Sequence, residues 1–185
     1  MYCLLGVNRE GVKDLLGLYI GENEGARFWL NVLSDIQNRG VKDIIIACID
    51  NLTGFADAIE TIFPRTEVQL CVVHQIRNST RYVSTRDVKT VMKDLKEVYQ
   101  APTKDQAEKG LAYLNEQWNE KYPSMVRSWL NNWERLSNYF KYPKEIRRII
   151  YTTNIIESFH SQLPKATKSK RVFSSDMSLL KLLYL

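Results

Sequence analysis

An unbroken apolar run, Ile44-Ile45-Ile46-Ala47-Cys48-Ile49, stops at an aspartate, Asp50. A run with no polar alternation suits a strand covered on both faces, the environment of parallel strands in α/β folds. Such a strand needs helices around it, and the flanking sequence offers them. From about Glu24 to Asn38 the apolar residues Phe28, Trp29, Val32, Leu33 and Ile36 recur at helical spacing, with Arg39-Gly40 as a stop. After Asp50, the positions Phe55, Ala58, Ile59 and Ile62 predict a short amphipathic helix closed by Pro64, and residues 67–73 predict another strand. Upstream, residues 2–7 and roughly 14–20 read as two strands joined by the turn-rich Asn8-Arg9-Glu10-Gly11, a hairpin. The expected order is β, β, α, β, α, β.

Beyond His74 the pattern becomes helical. Val88, Val91, Met92, Leu95 and Tyr99 mark one helix, Leu111, Leu114 and Trp118 a second, and Val126, Trp129, Leu130, Trp133 and Leu136 a third. Ala101-Pro102-Thr103 and Tyr122-Pro123-Ser124 separate them, and Trp118, Trp129 and Trp133 are expected to crowd the core of this block. Thr153 to about Gln162 reads as a further helix with Asn154 as its cap, followed by the basic residues Lys165, Lys168, Lys170 and Arg171. No internal repeat or low-complexity segment interrupts the chain.

Over 185 residues, 44% hydrophobic and 25% charged content is that of an ordinary globular domain and excludes a disordered tail. A net charge of +5 suits an anionic partner such as nucleic acid. Cys3, Cys48 and Cys71 are an odd count, each within an apolar run typical of a buried strand, which reads as reduced thiols in the cytoplasm. No stretch has the length of a membrane span. Both ends look cut through secondary structure: the chain opens directly on a strand and closes on an uncapped helix-like segment, Leu179 to Leu185.

Two readings stand at Asp50. At the carboxyl end of a buried parallel strand it lies where α/β sheets gather ligands, as a metal-holding carboxylate would; equally, it suits a cap for the next helix. Glu157 has the same ambiguity, between a functional carboxylate and a first-turn glutamate favoured by the helix dipole. Cys71 and His74 are spaced like metal ligands, but a structural zinc site takes four, so a buried cysteine beside a strand-end histidine competes with it. His160 lies three residues past Glu157, on the same side of that helix. Arg77, Arg81 and Arg86, with Arg147, Arg148 and the 165–171 cluster, either line a phosphate path or belong to a solvated surface.

Four segments together resemble the Mutator-type transposases of bacterial insertion sequences: Ala47 to Phe55, Phe63-Pro64, Val68 to Asn78, and Tyr151 to Glu157. The likeness also runs through the Tyr122-Pro123 and Trp129 to Trp133 helices. The resemblance implies an α/β, ribonuclease-H-like mixed sheet with an all-helical insertion before the last catalytic helix. On that reading residues 1–74 are a partial core lacking its first strand and residues 75–150 the insertion. Residues 151–185 return to the core as the catalytic-glutamate helix and a truncated C-terminal helix. It implies Asp50 and Glu157 as catalytic residues and ligands of Mg²⁺, with Cys71 and His74 matching a Cys-x-x-His signature beside the active site and His74 joining the catalytic set. Arg77, Arg81, Lys165, Lys168, Lys170 and Arg171 become contacts to DNA.

The implied chemistry is DNA strand cleavage and joining at the terminal repeats of an element. In-line attack on a phosphodiester uses two divalent ions about 3.5–4 Å apart, and carboxylates are the hard ligands that Mg²⁺ prefers. The first aspartate of the family's triad has no match here, nor has its N-terminal DNA-recognition region, so the expectation is a transposase fragment inactive by itself. Phe159-His160 stands where the family usually has Leu-Asn, and Ser161 and Pro164 replace arginines. An alternative is a non-catalytic module that binds DNA or an intact transposase, or forms a homo-oligomer, and so modulates transposition. An unrelated α/β enzyme using Asp50 and His74 finds no glycine-rich phosphate loop or nucleophile elbow to support it.

Overall fold

Asn8 folds the chain back on itself. Its Oδ1 accepts the backbone N–H groups of Glu10 (3.1 Å) and Val12 (2.8 Å), and Gly11 completes the turn at φ +79°, a conformation that costs other residues more. In the computed structural model, which describes residues 2–21 and 25–151, this turn joins β1 (Tyr2–Val7) antiparallel to β2 (Lys13–Tyr19). The register slips between Leu4 and Leu5, where a bulge leaves Leu16 unpaired.

The expected element order is borne out: α1 (Ala26–Asn38), β3 (Ile46–Ile49), α2 (Phe55–Ile62) and β4 (Glu67–Leu70) come after the hairpin. The helical tail comprises α3 (Val72–Thr80), α4 (Val88–Tyr99), α5 (Lys104–Trp118) and α6 (Pro123–Leu136). A 3-10 turn (Asn138–Lys141) and α7 (Lys144–Tyr151) complete it. The chain is thus mixed α/β, and its described strands form two separate two-stranded sheets, β1 with β2 and β3 with β4. The described residues divide into two units: residues 2–42 with Thr53–Ile62, and Asp43–Leu52 with residues 63–151.

In the first unit α1 buries Trp29, Val32, Leu33 and Ile36, the stripe its sequence spacing predicted. Trp29 stacks on Phe55 of α2 with ring centroids 3.9 Å apart and meets Tyr2 and Phe28 edge-on. α1 ends as Arg39-Gly40 anticipated: Gly40, at φ +105°, donates to the carbonyl of Gln37, and Val41 donates to Ile36, the paired bonds of a Schellman motif. Gly54 supplies the carbonyl that starts α2. It sits at φ +74°, where a Cβ would lie 2.9 Å from the Cα of Ala26.

In the second unit β3 and β4 pair in parallel, from Ile46 opposite Glu67 to Ile49 opposite Leu70. Extra rungs from Glu67 to Ile45 (3.0 Å) and Cys71 to Ile49 (2.8 Å) lengthen the ladder at both ends. α6 is pinned to its neighbours by buried polar bonds. Trp129 Nε1 donates to Ser79 Oγ of α3 (2.7 Å), Gln75 Nε2 of α3 to Ser128 Oγ (2.8 Å), and Gln69 Nε2 of β4 to the Leu136 carbonyl (3.0 Å). Lys141 and Tyr142 bond the Glu67 carboxylate, and although burial raises its pKa these two bonds bring it below the ordinary value.

Several expectations need correction. The strand predicted over residues 67–73 ends at Leu70, because Cys71 already caps a helix that begins at Val72. The apolar run is only partly buried among the described residues: Ile45, just before β3, is 63% exposed and Cys48 within it is exposed. Of the three tryptophans named for the helical block only Trp129 is fully buried. Trp118 and Trp133 are half-buried and turn their indole N–H groups to Asp94 (2.9 Å) and Glu108 (3.3 Å). Leu130 is 45% exposed. The helix expected over Thr153 to Gln162 lies outside the described residues.

Two outcomes test this packing. Gly11→Ala, with nothing near its would-be Cβ, should lower stability by about 1–2 kcal/mol from conformation alone. Gly54→Ala should add an overpacking cost of about 1–3 kcal/mol, read as the difference between urea midpoints. Asp87 gives a pH signature. Bonds from Lys121 and Tyr122 hold its carboxyl at about 2, below the ordinary 3.8, so their contribution is complete above 3.8 and fades as pH falls toward 2. Asp87→Asn should therefore lower the melting temperature at pH 7, with the gap closing through that acid window.

Candidate functional site

Parallel strands release their chains at the same edge, and here that edge carries Asp50 and the start of α3. Asp50 comes directly after β3, and its backbone carbonyl accepts the N–H of Leu52 (2.7 Å), folding the chain tightly away from the strand. It cannot cap α2, whose first turn closes on Gly54 instead. The capping alternative at Asp50 is thereby removed.

On the neighbouring strand Cys71 acts as the N-cap of α3, its Sγ accepting the N–H of His74 at 3.4 Å. Burial pushes the Cys71 thiol above its ordinary value, against the opposing pull of that N–H. Its sulfur closes the first turn of α3.

This turn swings His74 over the strand edge. His74 Nδ1 lies 3.1 Å from Asp50 Oδ2, with the side chains 39% and 45% exposed. A half-exposed pair of this kind adds at most about 1 kcal/mol to stability, so its consequence is orientation: one carboxylate oxygen is held by the imidazole. Asn51, next in the chain, donates through Nδ2 to Asn132 Oδ1 of α6 (3.3 Å), which ties the same turn to the helical block.

Along α3, Arg77 lies three residues past His74 and Arg81 four past Arg77, so they share one helical side. Both are exposed, and from His74 to Arg81 the axis advances about 10 Å. Arg86 is exposed in the turn before α4. Arg147 departs from the phosphate-path expectation. Its guanidinium donates to the carbonyls of Tyr142 (2.6 Å), Phe140 (2.9 Å) and Pro102 (3.0 Å) and lies over the Phe140 ring, so it locks the 3-10 turn to α7.

Glu157, His160, Lys165, Lys168, Lys170 and Arg171 lie outside the described residues. Among the described residues no three of His, Cys, Asp and Glu gather closely enough to hold a metal ion, and no helix is long and apolar enough to cross a membrane. Sequence reasoning missed Asn51, Asn132, Gln75, Ser79 and Ser128. The signal was faint: Gln75 and Ser79 are polar residues four apart on the side of α3 that is buried.

The sequence model of a family described as "Transposase, Mutator family" matches residues 1–185. The chain is similar to the transposase for insertion sequence element ISRM3 of Rhizobium meliloti (strain 1021), at 45% identity over 100% of this chain and 46% of that protein. It is 44% identical to a probable insertion-sequence transposase of Corynebacterium diphtheriae, over 100% of this chain and 54% of that protein. With the IS905 transposase of Lactococcus lactis subsp. lactis (strain IL1403) identity is 29%, over 97% and 46% respectively. The chain spans about half the length of the curated relatives it matches.

The cap makes a direct prediction. Cys71→Ala should cost about 0.5–2 kcal/mol, while Cys71→Ser, which keeps a side-chain acceptor, should restore most of it in thermal melts. A melting temperature unchanged by Cys71→Ala would show that the Sγ contact carries no weight.

Proposed function

Because this chain belongs to the Mutator family of transposases, we propose that it supplies the Asp50 and Glu157 carboxylates of a metal-dependent DNA cleavage and joining site on a ribonuclease-H-like core. The observation that carries this reading is the contact between His74 and Asp50, at the carboxyl edge of a parallel strand pair. Two residues singled out separately meet where α/β sheets present ligand-binding side chains.

The donor chemistry fits a magnesium ion. Asp50 offers a half-exposed hard oxygen ligand with one carboxylate oxygen engaged by His74, and Glu157 is the proposed second ligand. When bound, such an ion polarises phosphoryl oxygen and activates an attacking hydroxyl. The chain's own part is positional. His74 fixes the rotation of the Asp50 carboxylate, the Cys71 cap fixes His74, and Asn132 holds the Asn51 turn from the far side. Arg77 and Arg81 draw the DNA backbone toward that edge, with Lys165, Lys168, Lys170 and Arg171 adding to the positive field.

In this proposal residues 75–150 act as the helical insertion of the ribonuclease-H-like core, and the element's terminal repeats are the DNA partner. Within residues 1–185 this reading assigns two carboxylates, Asp50 and Glu157, to that site.

The test grafts residues 1–185 into the corresponding half of the Rhizobium meliloti relative and tracks strand cleavage on terminal-repeat DNA with Mg²⁺ or Mn²⁺. The chimera should cleave, and Asp50→Ala or Glu157→Ala should each abolish cleavage. His74→Ala should lower the rate by about 10–100-fold, as for other partners that orient a ligand, with partial rescue by His74→Asn. Full activity after Glu157→Ala would overturn the assignment. DNA retention by the isolated chain without any effect of Asp50 substitution in the chimera would favour the binding-module alternative.

A further inference from the structure

Four lysines of the second unit are paired with carboxylates. Lys104 pairs with Glu108 (3.8 Å), Lys109 with Asp105 (2.7 Å), Lys121 with Asp87, and Lys141 with Glu67. Lys89, Lys93 and Lys96 of α4 are exposed and have no carboxylate partner among the described residues. α4 buries Val91, Leu95 and Val98. At 3.6 residues per turn the three lysines form a stripe about 60° wide on the opposite side, about 10 Å long.

The carboxylates nearby do not cancel the stripe. Asp94 accepts the indole N–H of Trp118 (2.9 Å) and Asp87 is taken by Lys121 and Tyr122, while Glu97, four residues past Lys93, is exposed about 40° round the helix from it, at the edge of the stripe. Arg86, exposed in the turn leading into α4, adds a further positive charge at the N-terminal end.

Three like charges in line on a convex helix do not converge on one point, so they are ill-suited to a small anion. They match an extended polyanion: each strand of duplex DNA carries one charge per about 3.4 Å of axis, so the length of the stripe matches about three phosphates of one strand. A membrane surface would need an apolar flank beside the lysines, and the apolar side of α4 is in the core. We propose that the Lys89-Lys93-Lys96 face of α4 is a docking surface for the sugar-phosphate backbone of duplex DNA, additional to the α3 arginines. This rests on the DNA-binding part of the proposed function.

Fluorescence anisotropy of the 185-residue chain with a labelled duplex of about 30 base pairs, from about 50 to 200 mM salt, tests it. Lys89→Gln/Lys93→Gln/Lys96→Gln should reduce the slope of log affinity against log salt by about 0.9 per lysine, and replacement of all three by arginine should retain binding. Net charge is controlled by comparing Lys93→Gln/Lys96→Gln with Lys104→Gln/Lys109→Gln: the first pair should weaken binding several-fold and the second leave it within about twofold of the native chain. Equal losses from the two pairs, or no loss from the triple, would overturn the docking face while leaving DNA binding intact. Absence of binding by the native chain would overturn both. Matching thermal melts of all variants separate loss of docking from loss of fold.

Discussion

The parallel pairing of β3 with β4 makes neighbours of residues that the chain keeps apart. Its register sets Ile49 opposite Leu70, and one further rung, from the Cys71 N–H to the Ile49 carbonyl, carries the pairing to the strand ends. Asp50 and Cys71 therefore leave the sheet side by side. A shift of one residue in this register would turn the side chains of β4 to the other face, withdrawing Gln69 from the Leu136 carbonyl and moving the origin of α3.

That pairing sets off a series of short-range constraints. Cys71 turns the chain into α3, the first turn of α3 brings His74 to Asp50, and the far side of the same helix is fastened to α6 through Gln75 and Ser79. Apolar contact alone would allow packed helices to slide. Buried polar groups do not, because an unmatched donor or acceptor costs more than a matched one contributes. The inner side of α3 is thus fixed, and its outer side is left to carry arginines into solvent.

Most elements were legible as periodicities. The hairpin, α1, α2 and the helices α4 to α6 arise from apolar spacing and from turn residues such as Asn8, Gly40 and Pro123, whose local chemistry acts over a few positions. The boundary at Cys71 was not legible, since Val72-Val73 continues an apolar run equally compatible with strand and helix. Exposure was misread for the same reason: an apolar run shows what a strand can bury, whereas Ile45 and Cys48 depend on what covers them. Trp118 and Trp133 are held at half-burial by indole N–H groups that reach for Asp94 and Glu108.

By itself the sequence determined most elements and their order, though not α3, the 3-10 turn or α7, and the identity of Asp50 and His74 as residues worth watching, because helix and strand preferences and turn chemistry act over a few neighbouring residues. Only the tertiary structure decided that those two side chains lie 3.1 Å apart and that Arg147 serves carbonyl groups. It also decided that, among the described residues, the lysines of α4 find no carboxylate partner while those of α5 do. These are distances across packed elements, set by strand register and by the geometry of buried hydrogen bonds. No local pattern of residues encodes them one position at a time.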